Sequence, residues 1–323
     1  MTPKIETLLD QVNQTFPGTV MVRVGDEEDG TLRLDRAKQS ALASRLLIEV
    51  PDKTEADFVI GNELVRLLLS LNGIVPQIFF GLTFEDEGLD GQLVNIATRL
   101  HRSVLHAISF NELAKQGFLT KQTAQAYQAG IDDELDPEKD GVDEQHLFRL
   151  LTMLDAAVFA GTMKKHGLKD EAKAMQEQNQ RTYPAAFAAA EALSEPILSA
   201  DLTDARAIRK AIVKVFDGLD EILLKAELPT VNAKQYVTLT PVLSDRQLNG
   251  PVKNLFEVFH SEMTDFASKE KAYVGLGKQD KQNTFVIAPP KELGDRPKFF
   301  KELYELPVRE LLEKLALPYI LRQ

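Results

Sequence analysis

Phe58-Val59-Ile60-Gly61-Asn62-Glu63-Leu64-Val65-Arg66-Leu67-Leu68-Leu69-Ser70-Leu71 is the stretch whose reading decides the fold. It is apolar on nearly every side of a 3.6-residue repeat, and a helix that is apolar all round belongs inside a core. Thr54 stands before it as the expected N-cap, with Glu55 and Asp57 in the first turn, where acidic side chains meet the positive end of the helix dipole. Asn72-Gly73 supplies the stop, because glycine accepts the left-handed conformation that closes a helix. Leu64, Leu67, Leu68 and Leu71 are the expected core contacts. Asn62, Glu63 and Arg66, with Ser70 near the end, are the polar residues that break the apolar pattern.

Upstream of this helix, residues 2–15 read as a short amphipathic helix closed by Pro17-Gly18. Thr19–Val24 alternates and is β-branched, which predicts a strand, followed by an acidic turn from Gly25 to Gly30. Thr31–Leu34 reads as a second strand and Leu46–Val50 as a third, ended by Pro51. Downstream, Leu89–Gln116 predicts a long helix stopped by Gly117, and Thr120 opens another that runs to Gly130. Residues 131–145 (IDDELDPEKDGVDEQ) are acidic and contain proline and glycine, so they read as a solvated boundary between domains. Beyond them helices are expected at about 143–166, 168–194, 203–226 and 245–269. Tyr273–Leu276 and Thr284–Ile287 flank a polar turn and predict a hairpin, and the last helices break at Pro307 and Pro318. The expected class is α+β and mostly helical: an α+β domain over 1–130, a linker over 131–145, and a helical domain over 146–323 with one hairpin at 273–287.

Composition narrows the function. Apolar residues make up 44% of the 323, enough for a substantial core, and 38 Lys and Arg stand against 49 Asp and Glu, a net charge of −11. Such a balance repels phosphate backbones and anionic lipid, so neither a nucleic acid nor a membrane surface is the expected partner. The chain has no cysteine, which excludes disulfides, thiol nucleophiles and Cys-zinc sites; it fits a reducing cytoplasm, and a Gram-positive cell surface would look the same. No stretch approaches 18 uninterrupted apolar residues, and MTPKIETLLDQVNQ lacks the basic-then-apolar order of a secretory signal. No cofactor is expected. The partner is left as an unknown protein or small molecule, with homo-oligomerisation open.

The chemistry, if any, centres on Asn62-Glu63-Leu64-Val65-Arg66. In H-E-x-x-H, two histidines four apart share one helix face and bind zinc, and the intervening Glu is the general base. Here the helix and the Glu are present, but the ligand positions hold Asn62 and Arg66. Asparagine is a poor zinc ligand, and an arginine stays protonated and repels a cation.

The run ADFVIGNELVRLLLSLNGIVPQIFFGLT, followed by DEGLDGQLVNIATRLHRSVLH, resembles small proteins of bacilli and lactobacilli, some with an intact HELLH at this place. The lactobacillus branch carries the label IpaB/EvcA family. The resemblance covers roughly residues 45–130. It implies a zincin-like N-terminal fold: a small sheet, a motif helix, and a second helix that would supply a third ligand. On the family pattern Glu63 matches the general base, Asn62 and Arg66 match two lost ligands, and Glu85, Glu87 and Asp90 are the acidic candidates for the third. The departure at both histidine positions implies a degenerate, non-catalytic member that binds a ligand or a protein. The alternative is a metal-dependent hydrolase with ligands outside the motif. A third reading needs no ancestry: Glu63 and Arg66, three apart on a core helix, form an ion pair.

The remaining signals are weaker. His101 and His106 are five apart, not a one-face spacing, and His101 reads as a satisfied histidine at the core edge. His166-Gly167 reads as a helix C-terminus, where the dipole favours a cation. Asp136-x-Glu138-x-Asp140-Gly141 looks like the start of a calcium loop, but Leu147 stands at the twelfth position where a bidentate Glu is required. Gly275-Leu276-Gly277-Lys278 lacks phosphate-loop spacing, and no serine has a G-x-S-x-G context.

Overall fold

The computed structural model describes residues 1–139, 141, 143–288 and 295–322. Helix makes up 56% and strand 18%, so the class is α+β with helix dominant. In chain order the elements are α1 (Pro3–Thr15), β1 (Thr19–Glu27), β2 (Lys38–Leu42), β3 (Arg45–Asp52), α2 (Ala56–Leu71), β4 (Ile78–Phe79), β5 (Leu82–Thr83), α3 (Glu87–Lys115), α4 (Lys121–Glu134), α5 (His146–Lys165), α6 (Lys169–Thr182) and α7 (Pro184–Leu198). They continue with α8 (Ala205–Lys225), α9 (Ala233–Tyr236), β6 (Thr238–Leu239), β7 (Val242–Leu243), α10 (Asp245–Leu248), α11 (Val252–Leu255), β8 (Phe256–Asp265), β9 (Lys271–Gly277), β10 (Asn283–Ile287), α12 (Arg296–Glu305), α13 (Val308–Lys314) and β11 (Ile320–Leu321).

The chain forms two compact units, and neither is a continuous segment. The first comprises Met1–Asn72 and Arg102–Ser199, the second Gly73–His101 and Ala200–Gln323. The division differs from the expected 1–130, 131–145 and 146–323, because residues on both sides of the acidic stretch belong to the first unit. Most of its described residues are exposed, as a solvated stretch should be, but it is anchored at two points. Leu135 is buried, Tyr183 donates its hydroxyl to the Leu135 carbonyl at 3.3 Å, and the Glu138 carboxylate accepts the Ala185 amide at 2.7 Å. Glu138 thereby satisfies an otherwise orphaned donor at the start of α7. Asp140 of the calcium-like run lies outside the described residues.

In the first unit, β1 pairs in parallel with β3, and β2 pairs antiparallel on the other side of β3. Helix α1 buries Ile5, Leu8 and Val12, the i, i+3, i+7 stripe of an amphipathic helix. The expected strand at Thr31–Leu34 is absent: a single 3₁₀ turn occupies Leu34–Arg36. The second strand is β2 instead, whose sequence KQSAL has no apolar alternation because, at the sheet edge, it is mostly exposed. The expected helix over 168–194 is two helices, α6 and α7. Pro184 has no N–H to continue the ladder, so α7 restarts with proline in its first turn.

Helix α2 ends as expected at Asn72-Gly73, with Gly73 at φ +65°. Its start differs. Glu55, at φ 50° and ψ 31°, precedes the helix, and Thr54 accepts the Gly30 amide at 3.1 Å instead of capping α2. Burial runs from Phe58 to Val65, whereas Leu67, Leu68 and Leu71 are half-buried. Of the four leucines expected in the core, only Leu64 is enclosed. Gly61 permits the tight packing: a Cβ there would lie 2.6 Å from Leu113 and 3.2 Å from Ile5. Around α2 an aromatic group closes the core, with Phe110 and Phe159 rings 5.3 Å apart and Tyr127 stacked on Phe159 at 4.0 Å.

In the second unit, a four-stranded antiparallel sheet runs in the order β10-β9-β8-β5, and β9 with β10 is the expected hairpin. The helix expected over 245–269 is the largest error of the sequence reading. Two four-residue helices are followed by the ten-residue strand β8. FEVFHSEMTD is rich in aromatic and β-branched residues, and pairing with β9 satisfies its backbone, which overrides a marginal helical periodicity. Phe256, Phe285, Leu303, Val308 and Leu312 form the core of this unit.

Candidate functional site

Helix α2 places Asn62, Glu63 and Arg66 in the first unit, where Asn62 is fully buried and Glu63 is 5% exposed. Burying a carboxylate is expensive unless it is paired and hydrogen-bonded. Glu63 meets both conditions. Arg66 Nη1 donates to Glu63 Oε1 at 2.8 Å, and Gln39 Nε2, from β2, donates to Oε2 at 2.8 Å. Asn62 Nδ2 adds a longer contact to Oε1 at 3.4 Å. The Asn62 carbonyl oxygen is itself engaged, accepting from Ser109 Oγ at 2.6 Å.

Burial pushes the Arg66 guanidinium below its ordinary range; Glu63 opposes that shift and the like charge of Arg102 adds to it. Arg66 Nε and Arg102 Nε are both buried without a hydrogen-bond partner. Beside them, His106 Nδ1 lies 2.7 Å from Asp155 Oδ1, and Tyr127 donates its hydroxyl to Asp155 Oδ2 at 3.0 Å. His106 stacks on Phe110 at 4.8 Å, and its Nε2 is buried without a partner. Burial alone raises the Asp155 carboxyl. The His106 charge and the hydrogen bonds from His106, Tyr127 and Ser103 outweigh burial and hold it below the usual carboxylate range.

These positions do not fit a zinc ion. The guanidinium at position 66 is a fixed cation seated on the only acidic residue of the motif, and the oxygen of Asn62 is committed to Ser109. Among the described residues no three His, Asp or Glu side chains are grouped as metal ligands.

The acidic candidates for a third ligand belong to the second unit, and two of them are engaged there. Asp90 accepts from the Phe84 amide at 3.0 Å and from Thr83 Oγ1, which organises the start of α3. Glu85 accepts from Thr264 Oγ1 at 3.0 Å, and Glu87 is exposed in the first turn of α3. Arg66 pairs with Glu63, three residues back on the same helix, as their spacing predicts.

His101 is satisfied, as expected, with Nε2 2.9 Å from the Pro76 carbonyl. His166 caps α5 and meets Asn111 Oδ1 at 2.9 Å. Its imidazole is pushed down by burial and by Lys165 and Lys115, so the neutral form is favoured, against the expectation from the helix dipole alone. Sequence reasoning missed Asp155 and Arg102. The signal for Asp155 was available: it is the sole acidic residue of α5, between His146 and Lys165.

No family model, curated protein or solved structure matches the chain. Among the described residues no helix is long and apolar enough to cross a membrane.

Proposed function

We propose that this chain is a non-catalytic, degenerate metallopeptidase-like protein, related to the IpaB/EvcA-labelled family, that acts in the cytoplasm by binding a ligand or a protein. One observation carries the reading: Arg66 Nη1 stands 2.8 Å from Glu63 Oε1, so an internal cation neutralises the carboxylate that would serve as general base. Both oxygens of that carboxylate are engaged, by Arg66 and by Gln39, which suits a structural pair and not a base presented to water. The competing reading, a hydrolase with metal ligands elsewhere, lacks a convergent set of ligands among the described residues. The net charge of −11 argues against a nucleic-acid partner.

Elemental analysis of chain purified without chelator, joined to calorimetric titration with zinc, tests this. The expected result is no stoichiometric zinc in wild type and none gained on titration. One tightly held equivalent that disappears in Glu63→Gln overturns it.

A further inference from the structure

Beside α2 the first unit holds buried nitrogens of cationic side chains that no acceptor engages. The register of α2 against the second half of α3 shows where. A Cβ at Gly61 would touch Leu113, and Asn62 meets Ser109. One turn further along α2 is Arg66; one and two turns back along α3 are His106 and Arg102. Each of these three side chains has a buried nitrogen without a partner: Arg66 Nε, His106 Nε2 and Arg102 Nε.

We propose that Arg66, Arg102 and His106 form a binding site for one small oxyanion, a carboxylate or a phosphate. The proposal rests on the binding reading above and names the class of ligand. Arg66 spends Nη1 on Glu63 and leaves the edge formed by Nε and Nη2, the edge that grips carboxylates and phosphates two-pronged. Arg102 makes no ion pair among the described residues, in contrast to Arg33, which is held by Asp35 and Glu134 at 2.9 and 3.0 Å. Glu63 pairs with one of the two guanidiniums, Arg66, and the charge of the other is left for an anion. Arg66 keeps 21% of its side-chain surface exposed, which gives the ligand a route from solvent. Buried donors are nearly always satisfied in proteins, and one anion satisfies both guanidinium Nε–H groups, with His106 Nε2 joining as a donor when the ring carries both protons.

The test is a titration of the full chain, selectively labelled at arginine, followed by NMR of the guanidinium Nε–H signals. Inorganic phosphate, sulfate and acetate are the probes, with sodium chloride at matched ionic strength as control. The expected result is a saturable shift of the Arg66 and Arg102 signals with at least one oxyanion and none with chloride. Arg102→Gln, checked for folding by circular dichroism, weakens that binding by about tenfold or more, as the loss of a charge-assisted hydrogen bond requires. Arg102→Lys keeps the charge, loses the two-pronged edge and is also weakened. No saturable shift with any oxyanion, or equal binding by wild type and Arg102→Gln, overturns the proposal. Zinc uptake overturns the non-catalytic reading instead, so the two failures are read on separate signals.

Discussion

Arg66 donates to Glu63 at 2.8 Å, one turn back along the same helix, and the pair lies where the buried run Phe58–Val65 of α2 ends. Removing the arginine leaves a carboxylate that is 5% exposed with only amide donors, from Gln39 and, more distantly, Asn62. Arg66→Leu should therefore lower stability by about 3 kcal/mol, and adding Glu63→Gln should restore part of the loss. Urea denaturation of the single and double variants checks both. A double variant no more stable than the single one would mean that Glu63 is not the charge left behind.

The four leucines of α2 should behave unequally. Leu64 is fully enclosed, and Leu64→Ala should cost about 2–5 kcal/mol through lost contact and the cavity left behind. Leu67→Ala, Leu68→Ala and Leu71→Ala, at half-buried positions, should each cost less than Leu64→Ala under the same denaturation assay. Equal losses at all four would contradict the burial seen along the helix.

Asp155 should set part of the acid limit of the first unit. Its carboxyl in the folded state is held below the ordinary value of 3.8, while in the unfolded chain it returns to that value. The unfolded state then binds the proton first as pH falls. The stabilisation is complete above about pH 5 and is lost as pH drops through the folded value. Asp155→Asn should be less stable than wild type at neutral pH, and the difference between the two should shrink below pH 4 or so. Thermal melts across that range measure it; a constant gap at all pH values would remove Asp155 from the acid transition.

His166 gives an independent titration. Its imidazole is held below the ordinary 6.5 by burial and by Lys165 and Lys115. The C2–H signal, assigned with His166→Asn, should titrate below 6.5, and the wild-type chain should lose the associated stability as pH falls from 6.5 through the lowered value. Titration above 6.5 would show that the helix dipole outweighs burial and the two lysines.

The amino-acid sequence by itself determined where α2 lies and where it stops, the helical character of α1, α3, α4, α5 and α8, and the hairpin of β9 and β10. Those features follow from signals held within a few turns of chain: periodicity, a Thr120 cap, and left-handed Gly73 and Gly117. The same local windows failed where the outcome is set by distant partners. FEVFHSEMTD becomes β8 because β9 supplies its backbone hydrogen bonds. KQSAL becomes β2 because β3 does. Asp155 stands out in the sequence as the lone acid of α5, but only folding brings it to His106, 49 positions away, and only β2 sets Gln39 beside Glu63, 24 positions on. The pairing of Glu63 with Arg66 follows from their spacing of three on one helix. Tertiary structure alone decided what becomes of Asp90 and Glu85, which folding engages with Thr83, Phe84 and Thr264.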